Sequence, residues 1–91
     1  MKTLKTSANS NPNLVAGAIA GVIREEGIVE IQAMGANAVN QAVKAISVAR
    51  VYLQPDTDLV CQPSFVTLEQ EGEQRTMLSL TVRSVAIECA E

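Results

Sequence analysis

The feature that most constrains the fold is a strand-to-helix transition at Gly35, where an apolar run is followed by apolar residues at helical spacing. Residues 28–34 are nearly continuous in apolar character, which predicts a central strand in a covered or mixed sheet. Beyond Gly35, which tolerates the positive φ of a sharp joint, Asn37 is the predicted N-cap of a helix that ends near Leu53. The predicted buried stripe of this helix comprises Val39, Ala42, Val43, Ile46, Ala49 and Leu53.

The preceding residues predict the same strand-then-helix order. Residues 3–8 alternate enough for a short strand. Asn11 or Ser10 can cap the helix that follows, and Pro12 suits its first position. This helix is predicted to run to about Glu26 and to end at Gly27.

Two glycines, Gly17 and Gly21, lie one turn apart inside this first predicted helix. Each costs the helix about 1 kcal/mol relative to alanine, so each should have a use. Close approach of a neighbouring strand or helix is the favoured interpretation, and backbone access for a phosphate or a partner is the alternative.

The second half of the chain predicts a β-hairpin. Residues 59–69 and 75–83 form its strands, residues 70–74 form an acidic tip, and Asp56 to Asp58 form the turn that precedes it. Pro63 implies that the third strand lies at a sheet edge or contains a bulge. The order βαβαββ predicts an α+β fold with two helices on one face of a four-stranded mixed sheet, whose first two strands are parallel. Residues 1–91 are expected to form one domain, with residues 86–91 as a short tail.

Charge and composition argue against a strongly polyanion-binding protein. The net charge is −3, with five bases against three acids in residues 1–50 and two against seven in residues 51–91. Aromatic residues make up only 2% of the chain, as Tyr52 and Phe65, so base-stacking platforms are scarce.

Catalysis is the function class that the residues disfavour most. Without histidine, neither a serine triad nor a Cys–His pair can form, and Cys61 and Cys89 have no histidine with which to complete a metal site. We predict Glu25 and Glu26 to be a solvated helix end and Cys61 to be a small buried hydrophobe in a strand. No enzyme, metal or cofactor is therefore expected.

The cell compartment is predicted from two observations. No apolar run approaches the roughly 18 to 20 residues that a membrane span needs, and the N-terminal residues lack the pattern of a signal peptide. Two unclustered thiols fit a reducing compartment. The sequence therefore predicts a cytoplasmic protein with no membrane partner.

Three runs carry a family resemblance: residues 35–46, 4–8 and 15–21. Together they resemble the stage V sporulation protein S (SpoVS) family, and the resemblance covers about the first 85 residues in order. The element order is also similar to that of the archaeal chromatin protein Alba. These resemblances imply a regulator of spore development and septation in which the turn after the first strand and the β-hairpin approach a duplex.

The resemblance and the residues together predict nucleic-acid binding through phosphate contacts. Lys5 is the one base at the first turn, whereas Glu71 and Glu73 stand where a basic hairpin tip would be expected, with only Arg75 nearby. The turn also holds the start of a helix, and free amides there bind phosphates. The predicted contacts are Lys5, Ser7, Asn11, Asn13, Lys44 and Arg50, with Asn40 and Gln41 next. Few phosphates would be neutralised, so the affinity should be modest and salt-dependent.

A competing hypothesis is a protein-interaction module that binds no nucleic acid. Asn40, Gln41, Lys44 and Ser47 share one helical face, which is either an ordinary solvated face or a homodimer surface. A small aliphatic-rich domain with a long hairpin has apolar area and strand edges that pairing would cover.

The favoured prediction from the sequence is a non-enzymatic cytoplasmic regulator, homodimeric, that binds DNA or RNA.

Overall fold

The predicted element order is that of the computed structural model, which describes residues 1–87. Both helices pack on one face of a four-stranded sheet of order β1-β2-β4-β3, which confirms the α+β prediction. β1 and β2 are parallel, and β4 is antiparallel to β2 and β3. The elements are β1 (Lys2–Thr6), α1 (Pro12–Glu26), β2 (Ile28–Ala33), α2 (Ala36–Leu53), β3 (Thr57–Gln70) and β4 (Glu73–Ala86).

The positions of the strands explain two features of the sequence. β2 is a central strand whose residues Val29, Ile31 and Ala33 are buried beneath the helices. β3 is an edge strand that pairs only with β4, so Pro63 can lack an N–H on the unpaired side without removing a ladder hydrogen bond. Both features agree with the prediction.

The core is aliphatic and unusually rich in alanine. Its largest fully buried side chains are Ile19, Val29, Ile31 and Val82. The buried alanines of the two helices are Ala16, Ala20, Ala38, Ala42, Ala45 and Ala49. Small side chains let the helices approach each other and the sheet closely, so the apolar surface is buried with few large residues.

The buried face of α2 differs from the predicted stripe. Ala38 and Ala45 are buried, whereas Val43, which we predicted to face the core, is 50% exposed. Hydrophobicity alone favours valine over alanine for the core, but the crowded contact with α1 admits the smaller side chain. The helix is therefore rotated from the predicted orientation, and Val43 turns toward β3.

The helix ends are partly as predicted. The N–H of Asn13 donates to Oδ1 of the N-cap Asn11 at 2.9 Å, and Gly27 ends α1 with a φ of 77°. The prediction that Asn37 caps α2 is wrong. Gly35 is the N-cap, with a φ of 88°, because the chain reverses there and the carbonyl of Gly35 accepts the first helical bond from the N–H of Val39.

Two strands of the hairpin extend well beyond the rest of the sheet. The pairing of β2 with β4 ends at Ala33 and Leu78, so residues 66–77 form a two-stranded hairpin arm. Its tip is a two-residue turn, Glu71 and Gly72, both with positive φ as a type I′ turn requires. The turn is shorter than the predicted tip at residues 70–74.

Three strand boundaries also differ from the prediction. Ser7 and Ala8 leave β1 because side-chain hydrogen bonds of Ser7 fold them into a turn. Thr57 and Asp58 belong to β3 rather than to a turn, because they pair with the end of β4. That end includes Ala86, which we assigned to the tail, while residues 88–91 of the predicted tail lie outside the described residues.

The close-approach interpretation of Gly17 and Gly21 is wrong within the described chain. Both glycines are exposed, and a Cβ added to either would meet no heavy atom within 4 Å. By contrast, a Cβ at Gly27 would lie 3.3 Å from Oγ of Ser84, at a φ of 77°. The two helical glycines therefore cost stability without a packing reason among residues 1–87.

Replacing Gly21 with alanine should consequently stabilise the protein. We expect Gly21→Ala to raise the free energy of unfolding by about 0.5–1 kcal/mol, because alanine loses less backbone entropy in a helix. Urea denaturation measures the change, and Gly27→Ala is the control that should lower stability. A loss of stability in Gly21→Ala would mean that this surface of α1 is packed against a partner.

A carboxylate lies on the open face of the sheet, opposite the helices. Glu30 of β2 accepts hydrogen bonds from Oγ of Ser79 and, at 2.9 Å, from Oγ1 of Thr3. The hydrogen bond from Ser79, followed by that from Thr3, lowers the pKa of Glu30. The ionised carboxylate therefore joins β1, β2 and β4 across this face.

This lowered pKa predicts an acid-dependent loss of stability. A carboxyl group whose pKa is lower in the folded state stabilises the fold above its unfolded pKa, about 4.3, and this contribution is lost as the pH falls toward the folded value. We expect Glu30→Gln to be less stable than the wild type at neutral pH, and the gap to close in acid. Thermal unfolding followed across pH measures the gap, and a gap independent of pH would contradict the prediction.

Candidate nucleic-acid interface

Several chain segments meet at one edge of the sheet. The parallel strands β1 and β2 both end there, at Thr6 and Ala33, and each leads into a helix. The hairpin arm projects past the same edge, because its residues lie beyond the β2–β4 pairing. We call this region the upper edge: residues 7–11 (the β1–α1 turn), residues 34–35, the first turn of α1, the first two turns of α2 and the base of the arm. In open α/β sheets, ligands bind at the carboxyl ends of strands.

The β1–α1 turn is held by its own hydrogen bonds. The N–H of Ser7 donates to Oγ of Ser10 at 2.9 Å, and the N–H of Ser10 donates to the carbonyl of Ser7 at 3.1 Å. Oγ of Ser7 accepts from the N–H of Asn9 at 3.3 Å. The carbonyl of Ala8, between them, accepts from Nε2 of Gln41 on α2 at 3.3 Å. The turn is thus closed on itself and joined to α2.

The two helix starts differ in the backbone donors that they leave free. In α1, Pro12 has no N–H, and the N–H of Asn13 already donates to Asn11. In α2, Gly35 provides no side-chain cap, so the N–H groups of residues 36–38 precede the first helical bond without a capping partner. Free amides at a helix start attract anions. The predicted anion-binding start of α1 is therefore poorer in donors than the start of α2.

The structure gathers some of the predicted contact residues and separates others. Ser7, Asn11 and Asn13 lie exposed in and after the turn, and Lys5 is exposed at the end of β1, on the open face. Asn40 and the half-buried Gln41 lie on the second turn of α2, and the exposed Lys44 follows one turn later. The upper edge thus includes the turn residues, Asn40 and Gln41. Lys5 and Lys44 lie on opposite layers of the molecule, Lys5 on the open face of the sheet and Lys44 on the helix layer.

Arg50 lies at the other end of α2. It is nine residues beyond Gln41, which is about 13 Å along a helix. Its Nε lies 2.5 Å from Oδ1 of Asp58 and its Nη2 lies 3.0 Å from Oδ2. This bidentate hydrogen bonding raises the pKa of Arg50 and lowers that of Asp58. The charge of Arg50 is therefore paired away from the upper edge.

The charges near the upper edge are mixed. Lys5 and Lys44 form no ion pair with any residue in the described part of the chain, 1–87. The hairpin arm carries Glu69, Glu71 and Glu73, and Nη2 of its single base, Arg75, lies 3.9 Å from Oε2 of Glu73. The arm thus adds negative charge where a basic tip would favour a polyanion.

A groove that the sequence did not predict lies between α2 and the base of the arm. Its volume is about 520 Å³, and no charged residue lines it. Phe65 stands at its wall with 79% of its surface exposed. The lining residues are Gly35, Ala36, Val39, Asn40, Val43, Phe65, Thr76, Met77 and Leu78. These residues come from elements distant in sequence, so no local pattern predicts the groove. The available signal was Phe65, an aromatic residue in a chain that has few.

The structure also bears on catalysis and metal binding. Cys61 is exposed on the edge strand β3 rather than buried as predicted. Partial desolvation raises the pKa of its thiol, which disfavours the thiolate that a nucleophile needs. Glu25 is exposed and pairs with Nζ of Lys2 at 3.4 Å, as expected of a solvated helix end.

Within residues 1–87, no three His, Cys, Asp or Glu side chains lie close enough together to hold a metal ion. The helices of the same residues are also too short or too polar to cross a membrane.

Element order, sheet order and layering define an Alba-like α+β domain. The structure is similar to that of Alba from Thermoplasma volcanium, with a TM-score of 0.61, 15% sequence identity, and coverage of 90% of this chain and 96% of the other. The family model of stage V sporulation protein S matches residues 2–85. The chain belongs to the SpoVS family, as the sequence resemblance indicated. Membership of this family fits a regulatory role.

Proposed function

We propose that this protein is a non-enzymatic regulator that binds nucleic acid through phosphate contacts at the upper edge. The observation that carries the proposal is the uncapped start of α2 beside the self-closed β1–α1 turn. An Alba-like fold and membership of the SpoVS family support it. The absence of histidine from the chain supports the non-enzymatic part, and two thiols without a disulfide framework support a cytoplasmic site of action. The family description points to sporulation as the process.

The phosphate contacts follow from the chemistry of the upper edge. A phosphate oxygen can accept hydrogen bonds from the uncapped N–H groups of the exposed residues Ala36 and Asn37, where the helix dipole favours negative charge. Lys5 and Lys44 supply charge, and the polar side chains Ser7, Asn11, Asn13 and Asn40 supply hydrogen-bonding groups around it. Arg50 could contribute only at the far end of α2, after leaving Asp58.

The acidic arm limits the affinity. Glu71 and Glu73 repel phosphates, so the arm tip would lie outside the contact surface. Two unpaired lysines neutralise few phosphates, and the salt dependence of binding should therefore correspond to a small number of released counterions. Backbone contacts of this kind are made with both DNA and RNA.

Reversing the charge of Lys5 should remove most of the binding. We expect fluorescence anisotropy with labelled duplex DNA and single-stranded RNA to show saturable binding at low salt that weakens as salt increases. Lys5→Glu should weaken it by about tenfold or more, because a carboxylate beside a phosphate is repulsive.

Lys2→Glu is the matched control for this experiment. Lys2 lies on the same strand at the opposite end and pairs with Glu25 and Glu26 at 3.4 and 3.9 Å. Both substitutions change the net charge equally, so a difference between them reports position rather than total charge. Equal weakening by both variants, or flat curves for every nucleic acid at the lowest salt, would refute the proposal.

A second candidate function is a homodimeric interaction module. The uncharged groove between α2 and the arm, with the exposed Phe65 beside it, favours this function. A two-stranded arm without cover is marginally stable in water, and a second copy could cover it. A two-fold axis would place each Phe65 against the groove of the other copy, as in an isologous interface.

Truncating Phe65 should then change assembly without changing the fold. We expect sedimentation velocity to show a dimer for the wild type and a shift toward monomer for Phe65→Ser, because the exposed aromatic ring supplies the apolar contact. Val60→Ser is the control, since Val60 lies on the same strand, is 50% exposed and is not part of the groove. A monomeric wild type at tens of micromolar would argue against this function, and Lys5→Glu should leave assembly unchanged.

A further inference from the structure

The side chain of Gln41 connects α2 to the β1–α1 turn. Its Nε2 donates to the carbonyl of Ala8 at 3.3 Å, across 33 positions of sequence. No other described side chain of α2 makes a hydrogen bond to this turn. A nucleic-acid backbone that contacts both the turn and α2 would bind only if these two parts of the upper edge keep a suitable relative position.

The orientation of the Gln41 amide follows from this hydrogen bond. The opposite orientation would place Oε1 against the carbonyl of Ala8, which brings two acceptors together. With Nε2 toward Ala8, Oε1 is buried and has no hydrogen-bond partner among residues 1–87. The hydroxyl of Thr6, two residues before Ala8 and only 6% exposed, is likewise buried without a partner in the described part of the chain.

A buried acceptor without a partner in the protein lowers stability, and an apolar side chain of the same length would avoid that loss. Gln41 is therefore a poor choice for stability at this position. Its exposed neighbour Asn40 makes no side-chain hydrogen bond to any described residue, whereas the amide of Gln41 has one group engaged and the other buried. Asn40 can therefore contact a ligand, whereas Gln41 holds the β1–α1 turn against α2.

We propose that Gln41 is a positioning residue of the nucleic-acid interface. Its amide holds the β1–α1 turn against α2, so that Ser7 and Asn11 keep a constant position relative to the uncapped start of α2. Gln41 itself does not touch phosphate. This inference rests on the proposed nucleic-acid binding. It specifies how the β1–α1 turn and the start of α2 are held at a constant relative position.

The test compares stability, local exchange and binding in Gln41→Met. Methionine matches the length and removes both the donor and the buried acceptor. We expect an unchanged or higher melting temperature, faster hydrogen exchange of the Ser7, Asn9 and Ser10 amides, and nucleic-acid binding weakened about three- to tenfold. A residue with a purely structural role would lower the melting temperature instead.

Two further variants keep the outcome decisive. Gln41→Glu retains the acceptor, lacks the N–H and should also free the turn, so it serves if the methionine variant folds poorly. Gln54→Met makes the same chemical change at the exposed far end of α2 and should alter neither exchange nor binding.

Each alternative outcome overturns the inference in a different way. Weaker binding with unchanged exchange would make Gln41 a direct contact, and faster exchange with unchanged binding would remove the turn from the interface. If the wild type binds no nucleic acid, the proposed function fails and the positioning role fails with it. The exchange measurement on the free protein still decides separately whether Gln41 holds the turn.

Discussion

The close packing of two alanine-rich helices against one face of the sheet is the interaction on which the rest of this structure depends. Ala16 of α1 and Ala42, Ala45 and Ala49 of α2 are fully buried, and only side chains of this size allow such an approach. Because both helices cover the same face, each must return over the sheet before the next strand begins. β1 and β2 are therefore parallel, and both strand ends and both helix starts meet at the upper edge. The opposite face stays uncovered, and Glu30 can use its hydrogen bonds to join three strands there.

The upper edge contains two helix starts with opposite chemistry. Pro12 and Asn11 begin α1 in a way that stabilises the helix but leaves few donors for an anion. Gly35 begins α2 without a side-chain cap, which leaves backbone amides available beside the turn. The proposed binding surface thus relies on backbone geometry more than on charge. This agrees with a net charge of −3 and with an arm whose tip is acidic.

Much of the fold could be predicted because several helix and strand boundaries have a local cause. Gly27 and Pro12 mark the ends of α1, and the apolar run before Gly35 predicts β2, since these signals act within a few residues. The candidate site could be predicted only in part. The sequence indicated the β1–α1 turn and the start of α2, but not the groove beside Phe65 or the contact of Gln41 with Ala8, because both join residues far apart in the chain.

The sequence by itself determined the order of the elements and the family, since periodicity, turn residues and short motifs are properties of neighbouring residues. Only the tertiary structure decided which face of each element is covered. It buried Ala45 and exposed Val43, left open space within the described residues where a Cβ of Gly17 or Gly21 would lie, and left Cys61 exposed at the sheet edge. The physical reason is that burial depends on the space between packed elements, and that space is set by how closely their alanine-lined surfaces approach.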